Sequence, residues 1–261
     1  MEGWAALITA VAALIGVLVW PLTLLALVLL LRGHINVAAG DLPAILRRMR
    51  RFKLGAFEAE LDAKAETLVD EAIAKPGEIS PRQITTTAGI TLSAQALDEV
   101  ALKRQLERLC IEFDTIRDIM PAGYERSRAM VSVLVRLRTL GPAIERYLPE
   151  LKAGTTGGQR LAAIAIMQVN PAQADIPWLV QRFRSDPPFL LFQSAAVLRA
   201  LLRREPAVAS AAAAAAGEAL AIVRAYPGEP DADTMELLEA VSAASGATDE
   251  ISAAARGSLP G

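Results

Sequence analysis

From Trp4 to Leu31 the chain carries no charged residue, and ten Leu, four Val and two Ile fall within that stretch. Nothing else in the sequence constrains the fold so tightly, because about 20 mostly apolar residues already cross a bilayer. A helix of this length, at about 1.5 Å per residue, would reach about 42 Å and exceed the hydrocarbon core of about 30 Å, so it must tilt, kink or protrude. Pro21 marks the kink; a two-span hairpin broken there would leave a second piece too short to cross. A secretory leader would show a basic n-region and a shorter apolar run, whereas Glu2 is the only charge ahead of this one. One transmembrane helix over residues 4–31 is the expectation.

Charge sets its direction. Arg32, Arg47, Arg48, Arg50, Arg51 and Lys53 follow the span with Asp41 as the only acid among them, and no Lys or Arg precedes it. The positive-inside rule then predicts a single-pass inner-membrane protein with its N-terminus outside and its C-terminal domain cytoplasmic. The cluster Arg47, Arg48, Arg50, Arg51 and Lys53 is a candidate contact for anionic lipid headgroups, at about 1 kcal/mol per basic residue; serving purely as a topology determinant is the alternative.

Beyond the span the expected class is all-α. Residues 32–75 read as a basic juxtamembrane segment, with a short amphipathic helix opening at Asp41-Leu42-Pro43 and an acidic helix from about Asp62 to Ala74. Between them the alternation from Phe52 to Leu61 around Gly55 suggests a small β-hairpin. Residues 76–90, with two Pro, two Gly and three consecutive Thr, read as a linker. A helical domain is expected over 91–250 and a flexible tail over 251–261.

Within that domain Leu102, Leu106, Leu109, Phe113, Ile116 and Met120 recur at spacings of four and three, which is a heptad seam. It spans under three heptads, so packing on its own domain is favoured over homodimerisation. Helices then follow at about Tyr124–Leu140, Pro142–Ala153, Gln159–Val169, Ile176–Ser185, Phe189–Arg204, Ala207–Ala225 and Thr234–Ser245, separated by Pro or Gly. Leu161-Ala162-Ala163-Ile164-Ala165 and Ser194-Ala195-Ala196-Val197-Leu198 lie 33 residues apart, each early in a helix. This resembles HEAT or armadillo-like repeats, in which an Ala-Ala pair of one helix packs on the next unit; the resemblance covers roughly residues 142–225. It implies an α-helical repeat domain, with a spacing shorter than the about 40–47 residues usual for that class.

Little in the sequence supports catalysis. One His and one Cys exclude an intramolecular disulfide and an ordinary zinc site. His34, just after the span, has no orienting partner nearby, and Cys110 sits on the heptad seam as a small buried hydrophobe. Gly154 to Arg160 lacks the Lys and the preceding strand of a phosphate loop and reads as an inter-helix turn. The adjacent acids Asp70-Glu71 and Asp98-Glu99 point about 100° apart on a helix and read as solvated faces. No catalytic residue, metal ligand or cofactor is assigned.

One imbalance stands out. Residues 120 to 205 hold eleven Arg and one Lys against six acids, in a chain whose net charge is −2. A basic face on a helical array can receive an acidic segment, a nucleotide or anionic lipid, and Arg182, Phe183, Arg184 and Phe189 are the candidate partner-binding residues. Arg stems covering the core from outside are the competing account. The expected function is a non-enzymatic scaffold, adaptor or sensor that binds an unidentified cytoplasmic protein at the membrane. The alternative is a membrane-acting effector that oligomerises through its N-terminal helix and perturbs the bilayer when triggered, as in a bacterial defence or signalling system. Arg outnumbers Lys 22 to 5, a composition of GC-rich bacterial genomes, and no nucleic-acid partner is expected.

Overall fold

The structure, a computed structural model, describes residues 55–227 and 231–257. The expected span 4–31, the basic cluster Arg47 to Lys53 and His34 lie outside the described residues. Leu54–Gly261 forms one compact unit, and no strand occurs among its described residues. The helices are α1 (55–74), α2 (Pro81–Ala94), α3 (Glu99–Ile119), α4 (Tyr124–Ile144), α5 (Leu148–Ala153), α6 (Gly157–Val169), α7 (Ile176–Arg182), α8 (Pro188–Arg204), α9 (Ala209–Arg224) and α10 (Ala232–Gly257).

Four segments depart from expectation, one of them the break expected at Gly141-Pro142, which falls inside α4. Where a hairpin was expected, residues 55–61 already belong to α1. Phe57, Leu61, Ala65 and Leu68 recur at helical spacing and are all buried, and Glu60 pairs with Lys64 one turn on. The expected linker 76–90 contains most of α2. Ser80 caps it by accepting from Gln83 N at 3.1 Å, and Pro81, read as a breaker, occupies the first helical position, where a missing N–H costs nothing. Its threonines are tolerated because Thr85, Thr86 and Thr91 each donate to the carbonyl four residues back, while Ile90 is buried. At the other end, α10 continues through Gly257, past the point where a flexible tail was expected.

The heptad seam is used within the unit. Leu102, Leu106, Leu109 and Phe113 are buried, and α3 packs on α4 and α6. Asp98 caps α3, accepting from Ala101 N at 2.7 Å. Closest approach to α6 occurs at Gly158, where a Cβ would overlap the backbone carbonyl of Cys110. The turn from Gly154 resolves into a capping box: Thr156 accepts from Gln159 N while the Gln159 side chain accepts from Thr156 N.

From α4 onward a pattern recurs. A long helix is followed by a 3-10 turn and a short helix: Glu145–Tyr147 and α5 after α4, Pro171–Gln173 and α7 after α6. Asn170 and Glu205, ending α6 and α8, have nearly the same backbone angles, φ −121° with ψ 84° and φ −126° with ψ 75°. Both precede a proline, whose ring drives the preceding residue out of the helical region. Ala162, Ala163, Ala195 and Ala196 are all buried, and α6 packs on α8. Among the described residues Pro206–Arg224 is long and apolar enough to cross a membrane. In this unit its small side chains Ala212, Ala216 and Ala219 are buried where α9 packs on α7, α8 and α10.

Candidate functional site

A groove of about 500 Å³ opens where several helix ends meet. The last turn of α1 contributes Ala72 and Ile73, and the end of α3 contributes Arg117. The first turns of α4 and α8 contribute Tyr124, Arg126, Ser127, Arg128 and Pro188, Phe189, and the start of α10 contributes Asp231 and Asp233. Met130, Leu134, Phe192 and Gln193 complete an apolar and amide wall with Arg138. The starts of α4 and α8 carry no side-chain cap, since Gly123 and Pro187 have none to offer; the first N–H groups of α4 keep their donor capacity, whereas in α8 Pro188 has no N–H and Leu190 N already donates to the Pro187 carbonyl at 2.9 Å, which leaves Phe189 N. Asp231 by contrast accepts from Thr234 N and Thr234 Oγ1 and closes the start of α10.

The arginines are unequal. Arg128 is paired with Asp70 at 2.5 Å and Glu66 at 3.4 Å. Arg138, 1% exposed, has no carboxylate within 4 Å among the described residues. Its Nε donates to Gln168 Oε1 at 2.6 Å, its Nη2 to Gln193 Oε1 at 3.2 Å and its Nη1 to the Glu78 carbonyl at 3.4 Å. Gln168 Nε2 in turn donates to Gln193 Oε1 and to its backbone carbonyl. Burial, with Arg199 nearby, pushes the Arg138 guanidinium down to about 9, so it is still charged at neutral pH. Neutral amide oxygens solvate that charge without cancelling it, which is a costly arrangement for a group this deep. Arg117 lies over the Phe113 ring at 5.9 Å, and Arg126 donates to the Met120 carbonyl at 3.4 Å. Neither has a carboxylate partner among the described residues.

The strap between α1 and α2 lies over this network. Gly77, at φ +71°, meets Ala196 and Arg199 so closely that any side chain would be both strained and blocked. The Pro76 carbonyl accepts from Arg199 Nη2 at 3.0 Å, and Glu78 pairs with Arg203 at 3.4 Å. Three arginines from α4 and α8 thus hold the segment first read as a loose linker.

The residues singled out from sequence are scattered rather than gathered. Phe189 lines the groove and meets Phe113 with ring centroids 5.8 Å apart. Phe183 is fully buried, its carbonyl accepting from Tyr226 Oη. Arg182 is turned inward: its guanidinium lies 4.6 Å from the Trp178 ring centroid and 3.8 Å from Asp186. Asp186, 2% exposed at its side chain, is held mainly by Arg160 at 2.9 Å. Arg184 is 62% exposed and pairs with Glu218. Cys110 is buried as expected, its thiol pushed up to about 12 chiefly by burial, with Asp114 and Glu107 adding to the effect. Among the described residues no group of His, Cys, Asp and Glu could hold a metal.

Sequence reasoning missed Arg117, Arg126 and Arg138. The excess of Arg over 120–205 included two of them, but their convergence depends on tertiary packing. In comparisons with family models, curated proteins and solved structures, nothing matches this chain.

Proposed function

We propose that this chain is a non-enzymatic interaction module held at a membrane. Residues 4–31 cross the bilayer once, with the N-terminus outside, and the helical unit, HEAT-like in its alternation of short and long helices, receives a ligand or partner in the groove on the cytoplasmic side. The observation that carries this reading is excess positive charge: Arg117, Arg126 and Arg138 line one concave surface and none of them is ion-paired among the described residues, with Asp231 and Asp233 as the acids in the same lining. A scaffold that merely needed solubility would not bring a buried guanidinium to the wall of a groove.

A second reading, a membrane-acting effector, is favoured by the place of α1. Its last turn lines the groove, and it is the first described element after residues 1–53 in sequence. A ligand that grips α1 therefore acts on the element joined to the span, which can oligomerise in response.

Two measurements test these readings. Full-length chain should stay with membranes through a carbonate wash and leave them only with detergent; recovery in the aqueous fraction ends both. Native mass spectrometry of the detergent-extracted chain should show a co-purified species that is lost in the double variant Arg117→Glu, Arg126→Glu. Identical spectra would show that the groove receives nothing. Growth arrest on overexpression, abolished by deleting residues 1–40, would favour the effector over the scaffold.

A further inference from the structure

We infer that the groove is a nucleotide-class site. It takes a small phosphorylated molecule whose phosphoryl oxygens engage Arg117 and Arg126, with Arg138 in the wall, and whose flat body lies against Phe189 and Phe192. This deepens the reading of the groove as the receiving surface and rests on it.

Four observations narrow the ligand. Its volume of about 500 Å³ lies within the range that encloses small organic ligands, about 300–1,000 Å³. A phosphoryl group presents more oxygens than a carboxylate and can satisfy more than one guanidinium fork together, and the forks of Arg117 and Arg126 are not ion-paired among the described residues, while Arg138 keeps its uncancelled charge in the wall. The uncapped start of α4 adds backbone N–H groups, the start of α8 adds Phe189 N, and both long helices bring the positive end of a dipole. These helix starts support the assignment only together with the arginines.

The fourth observation is the mixed character of the lining. Asp231 and Asp233 oppose a ligand that is acidic along its length, such as an acidic peptide, yet accept readily from the hydroxyls of a sugar or the amino group of a base. An acyl chain offers them no donor. The aromatic faces of Phe189, Phe192 and Tyr124 suit a planar ring, since stacking on aromatic side chains accepts any base.

The test uses the full-length chain in detergent micelles, titrated with each of the four ribonucleoside 5′-monophosphates. At least one should bind saturably and raise the melting temperature. The matching nucleoside should bind at least about tenfold more weakly, and inorganic phosphate should compete. Arg117→Gln and Arg126→Gln should each weaken binding by about fivefold or more, a loss far larger than any small fall in the ligand-free melting temperature from the lost Phe113 ring contact or Met120 carbonyl bond, because neither side chain is part of the buried network. The inference is overturned if none of the four binds, or if the double glutamine variant binds as well as the parent. Binding confined to phosphatidylglycerol vesicles would replace the nucleotide by a lipid headgroup. Capture of a poly-glutamate decamer instead would leave the groove reading standing and remove the nucleotide. A chain that binds no probe and carries no co-purified species would end both.

Discussion

Arg138 Nε donates to Gln168 Oε1 at 2.6 Å, tying α4 to α6 inside the unit, and no acid shares that guanidinium among the described residues. Desolvation and hydrogen bonding pull in opposite directions at this pair. Arg138→Met removes an expensive buried charge but leaves Gln168 Oε1 without its donor and frees the Glu78 carbonyl. The unmet acceptors should dominate, lowering stability by about 2 kcal/mol in urea titrations followed by circular dichroism. Lys at this position should not restore it, because a point charge lacks the planar fork. A Met variant more stable than the parent would mean that desolvation outweighs the bonds.

Glycine substitutions should separate packing from propensity. Gly158→Ala forces a methyl into the Cys110 carbonyl and should cost about 3 kcal/mol or prevent folding, since backbone on both sides leaves no flexible end to yield. Gly217, inside α9 with nothing within 4 Å of its added Cβ, should gain about 0.5–1 kcal/mol on becoming Ala. Melting curves of the two variants should move in opposite directions.

Arg182 and Arg184 are neighbours in sequence with unlike duties. Arg184→Ala should change stability by under about 0.5 kcal/mol, because its pair with Glu218 is exposed. Arg182→Ala loses the Trp178 face and part of the Asp186 cluster and should cost about 1–2 kcal/mol. Asp186→Asn should cost more, about 3 kcal/mol, by leaving Arg160 and Arg182 facing each other with no acid between them. Equal melting temperatures for the Arg182 and Arg184 variants would show that the inward placement of Arg182 contributes nothing.

Cys110 should resist alkylation and disulfide reagents at pH 8 in the native chain, because burial holds its thiol near 12 and the thiolate is the reactive form. Full reactivity should appear in denaturant. Rapid labelling of the native chain would mean that the α3–α6 contact opens readily.

Acid should act in part through Asp175. Burial raises its pKa, but the Lys152 side chain and the Trp178 N–H together outweigh this and hold the carboxylate below its ordinary value of 3.8. A depressed folded-state pKa contributes stability that is present above the unfolded value and lost as pH falls through the folded one. The melting temperature of Asp175→Asn should therefore fall less between pH 5 and pH 3 than that of the parent.

What the sequence alone determined was helix. Leu102 to Phe113 at spacings of four and three, the Pro and Gly between segments, and the small residues Ala162, Ala163, Ala195 and Ala196 all dictate amphipathic helices that pack closely, and the described residues fold that way. These signals are local: they depend on a few neighbours along one face. Even so, Pro81 and the run Thr85-Thr86-Thr87 misdirected the reading, because a proline ends one helix or begins the next according to whether its neighbours find a core, and Ile90 finds one. The groove was beyond reach for a deeper reason. Arg117, Arg126 and Arg138 lie on two helices, Phe189 on a third and Asp233 on a fourth, and no spacing along the chain encodes their meeting. Whether an arginine is a solvated surface charge, as Arg184 is, a core brace, as Arg182 is, or an unpaired cation at a groove, as Arg138 is, depends on which acids the fold brings within reach. Tertiary packing alone makes that choice.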